Sequence, residues 1–159
     1  MATDHATQLG KLIGNFQSLE TLLRTFLHRM SAATAARLPE GKTYFGLQVG
    51  EEVPVNAFTN FDSLGQLIEK YNAVVQAKAQ ALVVDATIVA VRDLLAHGRV
   101  TADSPDEARL TIIKFSRPLN GVVLVTDSAM MTNQWCQERI DVVRMQIEKV
   151  ARALETIAV

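Results

Sequence analysis

Cysteine is almost absent from this chain. Its 159 residues include a single cysteine, Cys136, so neither an intramolecular disulfide nor a zinc site built from cysteines can form. The longest apolar runs are far too short to span a bilayer, and the first ten residues lack the charged start and apolar stretch of a signal peptide. The sequence therefore predicts a cytoplasmic protein with no membrane partner.

An excess of charge of either sign is also missing. The 16 Lys and Arg residues nearly balance the 17 Asp and Glu residues, which gives a formal net charge of −1. A protein that attracts nucleic acid or an anionic membrane through its overall field would be strongly basic. Any RNA site must therefore be a local patch.

Apolar residues are plentiful instead. They make up 48% of the sequence against 21% charged residues, a balance that argues against disorder. A chain of this length can bury a core without disulfides or metals. We therefore expect residues 1–159 to form a single domain, and the high apolar content permits a buried interface between two copies.

Three segments have the apolar spacing of three and four that is typical of a helix with one buried face. The first covers residues 4–31, and the last covers about 132–158. Another begins near Ser63, which forms a capping-box pattern with Gln66 three residues later. These segments predict long helices that pack side by side.

A further helix is predicted over residues 84–99, VDATIVAVRDLLAHGR. Its apolar residues again step by four, three and four, which indicates one buried face. The helix should end at Gly98, where a left-handed C-terminal cap favours glycine.

Two segments depart from helical spacing. Glycine and proline punctuate residues 32–60, where we expect a short helix or strand near 43–47 within either a connection or a flap over a site. Residues 109–115 (RLTIIKF) and 121–126 (GVVLVT) are β-branched and are joined by five residues, which predicts a β-hairpin. The predicted fold is all-α, a four-helix up-down bundle with a small hairpin (about 109–126) inserted between helices 3 and 4.

Arg92, Asp93 and His97 suggest chemistry rather than packing. On an ideal helix Asp93 and His97 share a face, so the carboxylate could hydrogen-bond the imidazole and set its tautomer. Arg92 and His97 diverge by about 140° on the same helix. The alternative is an ordinary surface pair, with His97 interacting with the C-terminal helix dipole. The spacing alone leaves both interpretations open.

The segment VRDLLAHGRV resembles the signature of the HEPN superfamily (higher eukaryotes and prokaryotes nucleotide-binding). That signature has an arginine, a polar residue and a histidine near the end of a helix in an α-helical bundle. Arg92, Asp93 and His97 match these positions, and Gly98 completes the frequent Ala-His-Gly ending. Some related toxins, which pair with a nucleotidyltransferase antitoxin, carry a tyrosine two residues after the histidine. Arg99 stands there in this chain, so modification of such a tyrosine is not available.

The resemblance implies a homodimer whose motif helices meet across a cleft, and RNA cleavage without a metal or other cofactor. His97 would act as general base or acid toward a ribose 2′-hydroxyl. Arg92 would stabilise charge on the phosphate, and Asp93 would orient or polarise. Such an enzyme fits a toxin or defence role with an antitoxin protein as partner. Two alternatives remain, a non-catalytic module that binds a nucleotide, RNA or a protein, and a structural bundle dimer without a ligand.

Three basic residues after the motif could widen a phosphate-binding patch: Arg99, Lys114 and Arg117. Acidic residues lie among them, which equally favours a solvated surface of mixed charge. Two other reactive residue types are assigned to packing. Cys136 lies on the apolar stripe of the last helix, and His28 has no second metal ligand three or four residues away.

Overall fold

The computed structural model describes residues 2–31, 38–102 and 110–158. Four α-helices lie within these ranges: α1 (Ala2–Met30), α2 (Leu64–Val75), α3 (Ile88–His97) and α4 (Asn133–Thr156). The same ranges contain three strands: β1 (Arg99–Ala102), β2 (Leu110–Phe115) and β3 (Val125–Met130). None of the helices formed by the described residues is both long enough and apolar enough to cross a bilayer.

The fold is mixed α/β, so the predicted all-α four-helix bundle with a two-stranded hairpin is wrong. The strands form a three-stranded antiparallel sheet in the order β1-β2-β3. The unexpected strand β1 pairs with β2 from Arg99↔Ile113 to Ala102↔Leu110. β1 alternates polar and apolar residues (Arg-Val-Thr-Ala) over only four positions, all of them exposed, and the predicted helix extends over its first residue, so this short pattern does not identify a strand.

The predicted hairpin exists, but its second strand lies further along the chain. β3 covers Val125–Met130 rather than residues 121–126, and it pairs with β2 from Thr111↔Met130 to Phe115↔Val125. The first predicted strand agrees with β2 except at residue 109, which lies outside the described residues. The pairing register depends on β2 and β3 together, so a run of β-branched residues does not by itself locate the second strand.

A tight turn closes the hairpin. Leu119 and Val122 pair across Asn120 and Gly121, whose φ angles of 52° and 78° are those of the Asn-Gly turn that suits the twist of a hairpin. We call residues 119–125 the hairpin tip. Its large apolar side chains are 45–74% exposed: Leu119, Val122, Val123, Leu124 and Val125.

The predicted helices are found, but α3 covers Ile88–His97 rather than residues 84–99, because Arg99 already belongs to β1. α2 begins after Ser63, whose hydroxyl accepts from the Gln66 backbone N–H while the Gln66 side chain accepts from the Ser63 N–H at 2.8 Å. This is the capping box predicted from the sequence. A 3-10 helix at Tyr44–Gly46 is the short element expected near residues 43–47.

The chain divides into two compact units. The first consists of Met1–Ser18 and Asp85–Ile147, and it contains α3 and the sheet. Its buried cluster is formed by Leu94, Ile112 and Met131, with partly buried side chains packed against them: Leu9, Leu95, Leu110, Ala129 and Trp135. This cluster fixes the inner side of α3 against β2.

The second unit consists of Leu19–Val84 and Glu148–Val159. The rings of Phe26 and Tyr71 pack edge to face with their centroids 4.8 Å apart. Asn72 lies between backbone groups of Val84, since its amide donates to Val84 O at 2.8 Å and accepts from Val84 N at 2.9 Å. The Asn72 amide thus makes the two hydrogen bonds that a neighbouring strand would otherwise make to Val84, in the segment that leads into α3.

Candidate functional site

The C-terminal end of α3 carries the three motif residues. Leu94, on the inner side of the helix, is only 3% exposed and belongs to the cluster with Ile112. The helix ends where the Gly98 N–H donates to Leu94 O at 2.7 Å. Since Asp93 and His97 are separated from Leu94 by roughly 100° and 60° around an ideal helix, packing of Leu94 directs them away from the centre of the cluster.

Gly98 does not adopt the predicted left-handed cap. Its φ and ψ are −72° and 157°, an extended conformation open to any residue, and β1 begins at the next position. The glycine is required for another reason. A Cβ atom at this position would lie 2.5 Å from Cγ1 of Ile112 and 2.5 Å from the carbonyl oxygen of Leu94. The close approach of the backbone to β2, rather than a positive φ, explains why glycine occupies position 98.

Two of the three motif side chains contact each other. Arg92 Nη1 donates to Asp93 Oδ1 at 3.4 Å, and the side chains are 33% and 39% exposed. His97 is exposed in the last turn of α3. In the part of the chain that the structure describes, no hydrogen bond or ion pair joins Asp93 to His97. The structure thus brings Arg92 and Asp93 together and leaves the imidazole apart.

The predicted phosphate patch does not lie on a single face of the sheet. Arg99 is exposed, and its guanidinium lies over the Phe115 ring, 5.4 Å from the centroid. Arg99 pairs with Ile113 and so shares its face of the sheet. Lys114 is the next residue of β2 and therefore points to the opposite face. Arg117 is exposed beyond the end of β2. Acidic residues 103, 106 and 107 lie outside the described residues.

A pocket of about 280 Å³ in the first unit was not predicted from the sequence. Its walls are mostly apolar: Phe16, Ile88, Val91, Val142 and Val143, with Thr87, Glu138 and Arg139 completing the lining. Arg139 is occupied by other contacts, since its guanidinium lies 4.6 Å from the Trp135 ring centroid and Nη1 lies 2.9 Å from Glu138 Oε2. The pocket joins three distant segments of the chain, so no local sequence signal marks it.

The residues assigned to packing behave as predicted. Cys136 is completely buried, and burial raises the pKa of its thiol despite the opposing effect of Arg139. A thiol with a raised pKa is a weak nucleophile at neutral pH. The His28 ring is partly buried and packs edge to face on Tyr44, with the centroids 5.7 Å apart.

Comparison of the chain with protein-family models, with curated proteins and with solved structures found no match. The residues at the end of α3 carry the chemistry from which a function can be inferred. These residues are an exposed imidazole, a guanidinium held by a carboxylate and a second exposed guanidinium at the start of β1.

Proposed function

We propose that this chain is a metal-independent endoribonuclease of the HEPN type, acting as a homodimer in the cytoplasm. The observation that carries the proposal is the exposed imidazole of His97 in the last turn of the helix that holds the Arg92–Asp93 pair. An imidazole can both accept and donate a proton, which suits proton transfer. The sequence RDLLAHG at this helix end adds the resemblance to the HEPN signature.

In the proposed reaction His97 removes the proton from a ribose 2′-hydroxyl. The 2′-oxygen then attacks the neighbouring phosphorus, a P–O2′ bond forms and the P–O5′ bond breaks. The departing 5′-oxygen takes a proton from an acid in the same site, so the products are a 2′,3′-cyclic phosphate and a 5′-hydroxyl. General acid–base catalysis of this kind typically contributes about 10²- to 10⁴-fold in rate.

Arg92 supplies positive charge to the pentacovalent transition state. A guanidinium stays positively charged, so Arg92 keeps this charge while Nη1 donates to Asp93. Asp93 then orients the guanidinium, and this role replaces the direct hydrogen bond to His97 expected from the spacing. Fixed positive charge at the developing oxyanion is among the largest catalytic effects in such sites.

A second copy of the chain is part of the proposal. Arg92 and His97 project from α3 in directions about 140° apart, so the two side chains of one helix do not converge on one phosphate. Two α3 helices related by a two-fold axis bring the arginine of one copy to the histidine of the other. An enzyme of this kind would need an inhibitory partner such as an antitoxin to spare cellular RNA.

A non-catalytic module that binds RNA or nucleotides is the second candidate. One observation favours it, since no hydrogen bond within the described residues fixes the His97 ring. A general base is normally held by a second group that sets its tautomer. In this alternative Arg92 and Arg99 bind phosphate without cleavage.

The decisive experiment is cleavage of 5′-labelled RNA in excess chelator by the unmodified protein and by Arg92→Ala and His97→Ala. Arg144→Ala, at an exposed position of α4, is the control for loss of an arginine. We expect both motif variants to lose at least about 10²-fold in rate, the control to stay active and the products to carry cyclic phosphate ends. Equal degradation by all four proteins would instead identify a contaminating nuclease.

Mixing the two inactive variants tests the shared site. If each site uses Arg92 of one copy and His97 of the other, co-expression of Arg92→Ala with His97→Ala makes mixed dimers with one intact site of two. Random assembly then restores about a quarter of the unmodified activity. No recovery in dimers shown to be mixed would contradict the shared site. RNA binding without cleavage by the unmodified protein would favour the non-catalytic module.

A further inference from the structure

The sheet of the first unit has one packed side and one open side. Leu110, Ile112 and Ala129 belong to the buried cluster beneath α3. Because neighbouring residues of a strand point to opposite sides, Ile113 and Phe115 lie on the other side of β2. Cross-strand pairing adds the remaining residues of this side. Up to the register shift beside Phe115, this side, which we call the outer face, is formed by Arg99, Thr101, Thr111, Ile113, Phe115, Ser128 and Met130.

The chemistry of the outer face suits an unstacked nucleotide. The Arg99 guanidinium lies 5.4 Å from the centroid of the Phe115 ring. Arg99 and Ser128 are exposed, and Met130 is 54% exposed. Aromatic rings and guanidinium planes both stack on bases, while hydroxyl groups can bind the ribose or phosphate.

The charge of the outer face favours an anion. Arg99 is the charged residue among the seven that form the face. The carboxylate on β3 belongs to Asp127, which pairs across the strands with Lys114 on the packed side of the sheet. A cation beside apolar and aromatic groups, with no carboxylate among these seven residues, complements a phosphate joined to a base.

The chain connects this face directly to the proposed catalytic end of α3. Arg99 follows His97 by two residues, and Gly98 between them is held by its close approach to Ile112. Because α3 packs on the other side of the sheet and β1 is an edge strand, RNA bound at Arg99 reaches His97 around that edge. We infer that the outer face binds single-stranded RNA, stacks one base on the Phe115–Arg99 pair and leads the strand around the β1 edge toward His97. This inference rests on the proposed function for its substrate class.

Single-stranded RNA is the specified ligand for a physical reason. In a duplex the bases stack on one another, and the deep, narrow major groove of A-form RNA keeps side chains from their edges. Only an unpaired base can leave the strand and lie flat against Phe115. Stacking is tolerant of sequence, because every base has a π face.

The test measures binding in a His97→Ala background, in which any cleavage by His97 is removed. Fluorescence anisotropy would follow a labelled, unstructured RNA of twelve nucleotides and a duplex of the same length. We expect Phe115→Leu and Arg99→Gln each to weaken binding of the single strand by roughly 5- to 100-fold, with little change for the duplex. Phe61→Leu, at a fully exposed phenylalanine, and Arg144→Gln, on exposed α4, are the matched controls.

Unchanged single-strand binding in both variants would overturn the inference, as would equal binding of the single strand and the duplex. Phe115 is partly buried, so its variant requires a thermal melt to show that it is folded. Arg99→Gln alters an exposed side chain and keeps the test valid if the first variant unfolds. Binding that depends on Phe115 and Arg99 without any cleavage by the unmodified protein would support this inference and contradict the enzyme. Cleavage that needs His97 but not Phe115 or Arg99 would do the reverse.

Discussion

The backbone of Gly98 lies directly against the side chain of Ile112. A Cβ atom built on Gly98 would be 2.5 Å from Cγ1 and 2.8 Å from Cδ1 of Ile112, and 2.5 Å from the carbonyl oxygen of Leu94. One of these groups belongs to β2 and the other to the last turn of α3. The glycine therefore sets the distance between the motif helix and the sheet.

Gly98→Ala should lower the free energy of unfolding by about 1 to 3 kcal/mol, the usual cost of overpacking. Gly14→Ala in α1 is the matched control, because a Cβ added there has none of the described neighbouring atoms within 4 Å. That substitution should raise stability by roughly 0.5 to 1 kcal/mol through helix propensity. Urea unfolding measures both. A neutral Gly98→Ala would contradict the close packing, whereas partial rescue by Ile112→Val would support it.

Asn72→Leu should destabilise the protein by about 1 to 3 kcal/mol, because it leaves the N–H and C=O of Val84 without their partners. Leucine has a similar size, so the loss reports hydrogen bonding rather than a cavity. Urea unfolding at pH 7 is the measurement. Stability equal to that of the unmodified protein would show that water replaces the amide.

Tyr71 should make stability fall in alkaline solution. Burial raises the pKa of Tyr71 to about 12, and its hydroxyl donates to Leu82 O at 3.0 Å. In the unfolded chain the phenol ionises near pH 10. The stabilisation from the protonated phenol is therefore complete below about pH 10 and is lost as the pH rises toward 12. Tyr71→Phe should be less stable at pH 8 but should show a shallower decline in urea unfolding between pH 9.5 and pH 11.5.

Asp62 should make the stability of the protein fall in acid, the opposite pH dependence to that of Tyr71. The hydrogen bond from Lys70, with Nζ 2.6 Å from Oδ2, is the largest cause of the lowered pKa of Asp62, and the Asn60 amide adds to it. Because the folded pKa is below the unfolded one, this stabilisation is complete above the unfolded pKa and is lost as the pH falls through the folded pKa. Asp62→Asn should lose less stability than the unmodified protein between pH 5 and pH 2. Parallel acid unfolding curves would contradict the prediction.

The sequence predicted the parts of the fold that have a local signal. The capping box of Ser63 and Gln66 is a contact within one turn, so its residue types are sufficient to locate the start of α2. β1 has no such signal, because its exposed residues are held by pairing with β2. At the site, helical geometry is sufficient to predict that Arg92 and His97 diverge on α3. The contact of Arg92 with Asp93, and the opposite sides of the sheet taken by Arg99 and Lys114, depend on side-chain packing and strand register.

The hairpin tip has a consequence for the protein at high concentration. Its consecutive exposed aliphatic side chains continue into β3 at an edge of the sheet, where further strands can add. Asp127, in the middle of β3, is the kind of charge that discourages self-association of an edge strand. We therefore expect solubility to fall when Asp127 is replaced by asparagine, and to improve when Leu124 at the tip is replaced by a charged residue.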